Sequence, residues 1–238
     1  MSLALMAAAA LALPAAANAT VSQDFSLSAK PGKASTATKK VPITLNFSTG
    51  TKDDSGAQPP TTSKAAVYFP AGSVYNGNLF PKCSASSIDA AKSTDDCPAK
   101  SIIGSGKAAG LAPGPITQND LTIKVANGGG SNVNLFVEGT SPLRIQSNLA
   151  GKMTKATGDF GLKLSVDIPQ NLQEPAPGVP VAITLFQVKV GGSITKNGVK
   201  RGLIEVNKCN GTWKSKGEFT YKTGEVATVG ASQKCSKG

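Results

Sequence analysis

The residues that could do chemistry in this 238-residue chain are lysines, carboxylates, serines and four cysteines, because the chain contains no histidine. The lack of histidine excludes Ser-His-Asp and Cys-His nucleophile systems, histidine-bearing zinc sites and imidazole acid–base catalysis. If the cysteines are paired in disulfides, thiol catalysis is excluded as well. The chemistries that remain are those of paired carboxylates and of a serine–lysine pair.

One pair of motifs matches serine–lysine chemistry. Ser193-Ile194-Thr195-Lys196 fits the S-x-x-K of penicillin-binding enzymes, and Lys222-Thr223-Gly224 fits their K-T-G. In those enzymes the serine opens a helix, whereas Ser193 follows a predicted strand and a Gly-Gly turn. The chain also has no S-D-N motif. We interpret both matches as chance in a sequence rich in Lys, Ser, Thr and Gly.

A glycine-rich segment, Gly104-Ser105-Gly106-Lys107-Ala108-Ala109-Gly110, superficially resembles a phosphate-binding loop. That loop requires glycine where Ser101 stands and serine or threonine where Ala108 stands. No helix is predicted to follow it. The segment is therefore predicted to be a glycine-rich strand or bulge.

Paired carboxylates are the remaining catalytic alternative. Asp89, Asp95 and Asp96 lie between the first two cysteines, and Asp53-Asp54 lie in an earlier loop. A glycosidase needs only two well-placed acids, but sugar-cleaving clefts usually contain aromatic platforms, and the chain has one Trp and three Tyr. No spacing matches a known calcium loop. We interpret these residues as solvated loop acids, and we predict no catalytic residue, metal site or cofactor.

The four cysteines, Cys83, Cys97, Cys209 and Cys235, are an even number, as expected of disulfides in an exported protein. A four-thiolate zinc site is the alternative, but such sites usually show C-x-x-C pairs, which the sequence lacks. Of the three possible pairings, the spacing favours the local one, Cys83–Cys97 with Cys209–Cys235. These bridges would close loops of about 15 and about 27 residues.

The N-terminal segment has the features of a secretory signal peptide. An uncharged apolar run from Leu3 to Leu13 ends at Pro14, and Ala17-Asn18-Ala19 supplies the small residues of a cleavage site. The run is shorter than the roughly 20 apolar residues that a membrane anchor needs. We therefore predict that residues 1–19 are a signal peptide, that the mature chain begins at Thr20 without a membrane anchor, and that it is secreted or extracellular.

The elements that must position these residues are predicted to be strands. Phe160, Leu162, Leu164, Val166 and Ile168 alternate with small or polar residues, and similar alternation occurs at 43–47, 121–125 and 133–137. Val181–Val190 is apolar on both faces, as in a central strand. The best helical candidate is Ser84–Lys92. These patterns predict an all-β fold, a two-sheet antiparallel β-sandwich with jelly-roll character and about ten or eleven strands, as one domain over 20–238 with a flexible N-terminal segment.

The net charge of +11 is concentrated near the C-terminus, where residues 196–238 hold nine positive residues and three glutamates, a net charge of +6. Lys214, Lys216 and Lys222 alternate with Trp213, Phe219 and Tyr221, so the lysines are predicted to share an outward face. This face is interpreted either as a solvated surface or as a polyanion-binding site. Nucleic acid is a poor partner, because the chain has two arginines and is exported.

Two stretches of the chain carry a resemblance to other proteins. The first runs from Val67-Tyr68-Phe69-Pro70-Ala71-Gly72-Ser73 through both cysteines to Gly106, and the second runs from Cys209-Asn210-Gly211-Thr212-Trp213 to Cys235. Together they resemble a group of secreted, disulfide-bearing actinobacterial β-proteins. The resemblance implies the same local disulfide pairing and no activity.

These observations predict a non-enzymatic protein of the bacterial cell surface. Its expected role is binding or structural, with attachment to an anionic cell-wall polymer or glycan as the expected interaction. The alternative is an extracellular carbohydrate-active enzyme that uses paired carboxylates. The sequence does not determine the oligomeric state.

Overall fold

The computed structural model describes residues 21–34, 40–114 and 116–237. The expected signal peptide, Met1–Ala19, and the expected mature N-terminus at Thr20 lie outside the described residues. Within these ranges the chain is mostly β, with antiparallel pairing throughout its large sheet, so the predicted all-β fold is confirmed. No helix in this part of the chain is long and apolar enough to cross a membrane.

The strands are short to medium in length and follow one another with few helices between them. The strands are β1 (Val21–Lys30), β2 (Lys33–Ala34), β3 (Val41–Asp53), β4 (Thr62–Pro70), β5 (Ser73–Tyr75), β6 (Ile102–Ala112), β7 (Ile116–Gly129), β8 (Asn132–Gly139), β9 (Ile145–Lys155), β10 (Phe160–Asp167), β11 (Ala182–Val190), β12 (Ser193–Lys196), β13 (Val199–Gly202), β14 (Ile204–Val206), β15 (Thr212–Tyr221), β16 (Val226–Lys234) and β17 (Ser236–Lys237). The α-helices are α1 (Ala85–Ala91) and α2 (Gln170–Gln173), and single 3₁₀ turns occupy Gly77–Leu79 and Ala99–Ser101.

The main sheet is one continuous ladder of eleven strands in the order β16-β15-β4-β10-β9-β8-β7-β6-β11-β3-β1, extended beside β3 by β14 and β5. This path replaces the predicted two separate sheets, and the short strands raise the count above the predicted ten or eleven. Strands that alternate apolar and polar residues bury one face only. A single long, twisted sheet can bury that apolar face by curling until its two ends meet around one core.

The two ends of the sheet, β1 and β16, lie side by side. Every ladder between them is antiparallel, so the first and eleventh strands run in the same direction. Among the described residues no ladder joins β1 to β16, but their continuations β2 and β17 form a parallel pair that matches Lys33 with Ser236. We call the boundary between β1 and β16 the seam.

The core lies inside the curled sheet and includes buried apolar side chains from every strand of the eleven-strand ladder except β16. It includes Leu27, Leu45, Val67, Val125 and Val188, all of them buried. The alternation that predicted β10 is confirmed, and Val181–Val190, predicted as a central strand, corresponds to β11 between β6 and β3.

A second, smaller core lies on the outer face of β7 and β8. There the segment between Cys83 and Cys97 covers Ala126 and Phe136 with the fully buried side chain of Ile88. The predicted helix is present as α1, and the Ser84 hydroxyl caps it by accepting a hydrogen bond from the Ser87 amide at 3.2 Å. The first disulfide therefore holds a cap over the outside of the sheet.

Residues 21–30, the first described residues of the chain, form β1. These residues pair with β3 over their whole length, from Val21 opposite Asp53 to Lys30 opposite Thr44. The strand alternates Phe25, Leu27 and Ala29 with serines and Asp24, but its small and polar residues make that alternation faint.

Candidate functional site

Both expected disulfides are present, Cys83–Cys97 and Cys209–Cys235, with Cα–Cα distances of 5.3 and 5.9 Å. The first holds the loop over β7 and β8. The second ties the loop before β15 to Cys235, the residue between β16 and β17. Two formed disulfides fit an extracellular location. The described residues hold no group of three or more side chains that could ligate a metal ion.

Of the three lysines predicted to share an outward face, Lys214 and Lys216 lie on one face of β15, and Lys222 directly follows the strand. Trp213, Phe219 and Tyr221 are buried on the opposite face. Each lysine nevertheless contacts a carboxylate. The Nζ of Lys214 lies 2.8 Å from Asp159, that of Lys216 lies 2.7 Å from Glu218, and that of Lys222 lies 3.2 Å from Glu174. The positive charge of this face is therefore partly compensated.

Lys216 is the most constrained of the three lysines. Its ammonium lies 4.1 Å from the ring centre of Tyr68, and the Tyr68 hydroxyl donates a 2.8 Å hydrogen bond to Glu218. The bond to Glu218 raises the pKa of Lys216 above its usual value. Burial tends to raise the pKa of Glu218, but the bonds from Lys216 and Tyr68 outweigh it and hold that pKa low. This arrangement secures β4 to β15 and leaves Lys216 little freedom to meet a ligand.

A second basic surface, which the sequence did not single out, lies on the outer face of β6, β7 and β11. Lys189 and Lys124 stand directly opposite Ser105 on its two neighbouring strands, and Lys107 follows two residues along β6. Adjacent strands lie about 4.8 Å apart, so the three lysine positions fall within roughly 10 Å. All three side chains are exposed, and none takes part in an ion pair among the described residues.

A shallow groove of about 490 Å³ runs from these lysines across β11 and β3 to β1. We name it, together with Lys124 at its margin, the lysine groove. Its polar lining side chains are hydroxyls, amides and two ammonium groups: Ser26, Ser28, Asn46, Ser48, Ser105, Lys107, Gln187 and Lys189. The Gln187 amide donates a 3.2 Å hydrogen bond to the Ser48 hydroxyl. The surface thus offers positive charge beside neutral hydrogen-bonding groups.

Alternation along each strand could have predicted that Lys107, Lys124 and Lys189 point outward. The sequence could not bring them together, because β11 pairs with β6 across a long insertion that contains four other strands. The glycine-rich segment interpreted as a strand or bulge is confirmed as part of β6, and it contributes Ser105 and Lys107 to the groove.

The interior of the sheet contains an apolar cavity of about 120 Å³. Carbon atoms form almost its whole surface, and the lining includes Leu45, Val67, Met153, Val166 and Phe186. A neighbouring cavity of about 60 Å³ shares Leu149, Ile183 and Phe186 as its wall. None of the residues that line these two cavities or the lysine groove is Asp or Glu, so these concave regions give the carboxylate alternative no cleft.

Hydrogen bonds between polar side chains close both ends of the larger cavity. At one end Gln23 donates to Thr49 at 2.7 Å and accepts from Thr51 and Tyr221 at 2.8 and 3.0 Å. At the other end the Tyr75 hydroxyl donates to Asn127 at 2.8 Å, and burial raises the pKa of Tyr75 far above its usual value. These groups bond to one another, so the cavity wall presents almost no free donor or acceptor.

Comparisons with known proteins give no further identification. No protein-family model, curated protein or solved structure matches the chain. The fold and the geometry of its surfaces therefore carry the functional argument.

Proposed function

We propose that this is an exported, non-enzymatic binding protein of the bacterial cell surface, which attaches to an anionic wall polymer through the lysine groove. The observation that carries the proposal is the convergence of Lys107, Lys124 and Lys189 around Ser105 with no ion-pair partner among the described residues. Unpaired, exposed charges of one sign attract a polyanion, whereas paired charges are largely neutralised at a distance.

The side chains of the groove suit an anionic glycan. A lysine ammonium is a hydrated point charge that attracts phosphate or carboxylate with little geometric selectivity. The serine hydroxyls and the Asn46 and Gln187 amides beside it can both donate to and accept from sugar hydroxyls. On the neighbouring strand β8, Glu138 lies opposite Thr122 and accepts a hydrogen bond from the Thr122 hydroxyl at 3.4 Å.

Retention on isolated bacterial cell walls tests the proposal. The triple variant Lys107→Gln, Lys124→Gln, Lys189→Gln should be released from the walls at about 0.1 M salt, where the Debye length is about 10 Å. The wild-type protein should be released near 1 M salt, where that length is about 3 Å. The melting temperature should change little, because exposed substitutions usually cost within about 0.5 kcal/mol.

The matched control is Lys214→Gln, Lys216→Gln, Lys222→Gln, which removes the same charge from the compensated face. If the groove variant is released and the control is retained, the groove is the attachment site. Release of the control alone would move the site to β15. Retention of both variants in high salt would refute attachment by charge.

A further inference from the structure

We propose that the apolar cavity inside the sheet is a binding site for a small uncharged molecule, an aromatic ring or a short alkyl group, which reaches it along the seam. This proposal is independent of the lysine groove, because the cavity lies on the other face of the sheet. Its ligand would differ in kind from a polyanion.

The wall of the cavity determines the class of ligand. None of the residues that line it is charged, and of its polar members Gln23, Thr49 and Thr51 bond to one another while Tyr75 bonds to Asn127. A charged or strongly hydrated ligand would lose its hydration without compensation. An apolar ligand has no hydrogen bonds to water to lose, and its entry removes apolar surface from water.

The size of the cavity sets the size of the ligand. Protein interiors are normally close-packed, so side chains that point into a core lose nearly all their exposure. Here Phe47, Leu164, Val166 and Phe186 point inward and remain only partly buried. An engineered apolar cavity of about 150 Å³ binds benzene, and this one is somewhat smaller at about 120 Å³, so a ligand can be no larger than about the size of benzene.

Among the described residues, the seam is the part of the wall that no ladder closes over residues 21–28 of β1. Hydrogen bonds cross it at Gln23, which accepts from Tyr221 of β15, and again at Ala29 and Gly32. Phe25 lies over this unladdered part. Its ring packs edge-to-face against the rings of Phe47 and Phe219, with distances between ring centres of 5.7 and 6.5 Å. Both of these residues line the cavity.

The Phe25 ring occupies space that Gly217 leaves open. A β-carbon added at Gly217 would lie 2.6 Å from the Phe219 ring and 2.7 Å from the Phe25 ring, so a larger residue there would displace both rings. The ring is only partly buried, and rotation of its side chain breaks no ladder bond. Phe25 is therefore placed to open and close access to the cavity without unpairing a strand.

Met153, whose methyl group reports on the cavity, allows a direct test. The protein is labelled with ¹³C-methyl methionine, its Met153 resonance is assigned by comparison with Met153→Leu, and benzene is added. Binding predicts a saturable shift of the Met153 resonance and a rise in the melting temperature. The absence of a saturable shift up to the solubility limit of benzene would overturn the proposal.

Two variants on β4 give a matched comparison. Ala65→Leu adds carbon atoms to the cavity, whereas Ala66→Leu adds them to the outer face, where Ala66 lies opposite Ser165 and Glu218. Ala65→Leu should reduce the affinity for benzene at least tenfold, and Ala66→Leu should leave it unchanged. Equal affinities in both variants would place benzene elsewhere.

Phe25→Ala tests the route. Because the ring covers the seam, its removal should raise the rate of benzene exchange at Met153 several-fold. The Met153 line shape measures that rate at each benzene concentration. An unchanged rate would refute access along the seam.

Discussion

The side-chain amide of Gln233 binds the backbone of Ala29 as a neighbouring strand would. Its oxygen accepts from the Ala29 amide at 2.7 Å, and its nitrogen donates to the Ala29 carbonyl at 2.9 Å. Ala29 is 1% exposed, so water cannot replace these bonds. A single side chain thus joins the two edges of the sheet.

Removing this amide should destabilise the protein. Gln233→Ala leaves a buried donor and a buried acceptor unpaired, at a cost of about 1–3 kcal/mol. Chemical denaturation measures the loss. Gln187→Ala is the control, because the Gln187 amide bonds to a side chain on the outer face. An equal effect of both variants would show that Gln233 does not hold the seam.

The disulfides should contribute stability according to the loops they close. Loop entropy predicts that the free energy of unfolding falls by about 3 kcal/mol in the double variant Cys83→Ala, Cys97→Ala. It predicts a fall of about 3.5 kcal/mol in Cys209→Ala, Cys235→Ala, and chemical denaturation measures both. The second variant should also expose the amides of β2 and β17 to hydrogen exchange. Protection of β2 and β17 equal to that of the wild type would contradict a role for this disulfide in holding the seam.

Glu205 should make stability depend on pH in acid. It is 1% exposed and accepts from Arg201 at 3.0 and 3.2 Å and from the Gly202 amide at 2.9 Å. Burial tends to raise the pKa of Glu205, but these bonds outweigh it and hold the pKa below 4.5. A lowered pKa in the folded state adds stability above the unfolded value, and that stability is lost as the pH falls through the folded value.

The variant Glu205→Gln should therefore be less stable than the wild type by about 1–3 kcal/mol at neutral pH. The difference should shrink as the pH falls below the unfolded-state pKa of the carboxyl and through its lowered folded-state pKa, where the wild-type carboxyl protonates. Urea denaturation at several pH values measures it. A difference that stays constant from pH 7 to pH 2 would refute the role of the ionised carboxylate.

Gly106 should be intolerant of a side chain. A β-carbon there would lie 1.9 Å from the carbonyl oxygen of Gln187 on β11, so Gly106→Ala must push β6 and β11 apart. The free energy of unfolding should fall by about 1–3 kcal/mol, as in overpacked cores. Gly230→Ala is the control, because its nearest contact would be 3.6 Å away. Equal stability of both variants would contradict the close approach.

Local patterns in the sequence predicted the elements that have strong periodicity or a clear cap. The alternation from Phe160 predicted β10, and the serine before Ala85 agrees with the start of α1. The spacing of the cysteines favoured the pairing that is present. These signals are local, since each depends on residues close together in the chain.

Long-range pairing was not predictable in the same way. Nothing near Lys189 indicates that it lies opposite Ser105, and nothing near Val21 indicates that it begins an edge strand of the main sheet. The cavity was also not predictable from the sequence, because it depends on the distance between the inward side chains of strands on opposite sides of the curled sheet. Lys214 and Lys216 were correctly placed on the outward face of β15, but Asp159 and Glu174, the carboxylate partners of Lys214 and Lys222, lie far away in the sequence.

The bond between Ala29 and Gln233 joins residues 204 positions apart. In a chain that emerges with its N-terminus first, β1 can pair with β3 early, but the seam must wait until nearly all of the protein is available. Until then the inner face of the sheet and one edge of β1 remain uncovered, and such surfaces bind other chains readily. The inner face of the sheet and this edge of β1 therefore stay exposed until β16 and β17, the last strands of the chain, have been synthesised.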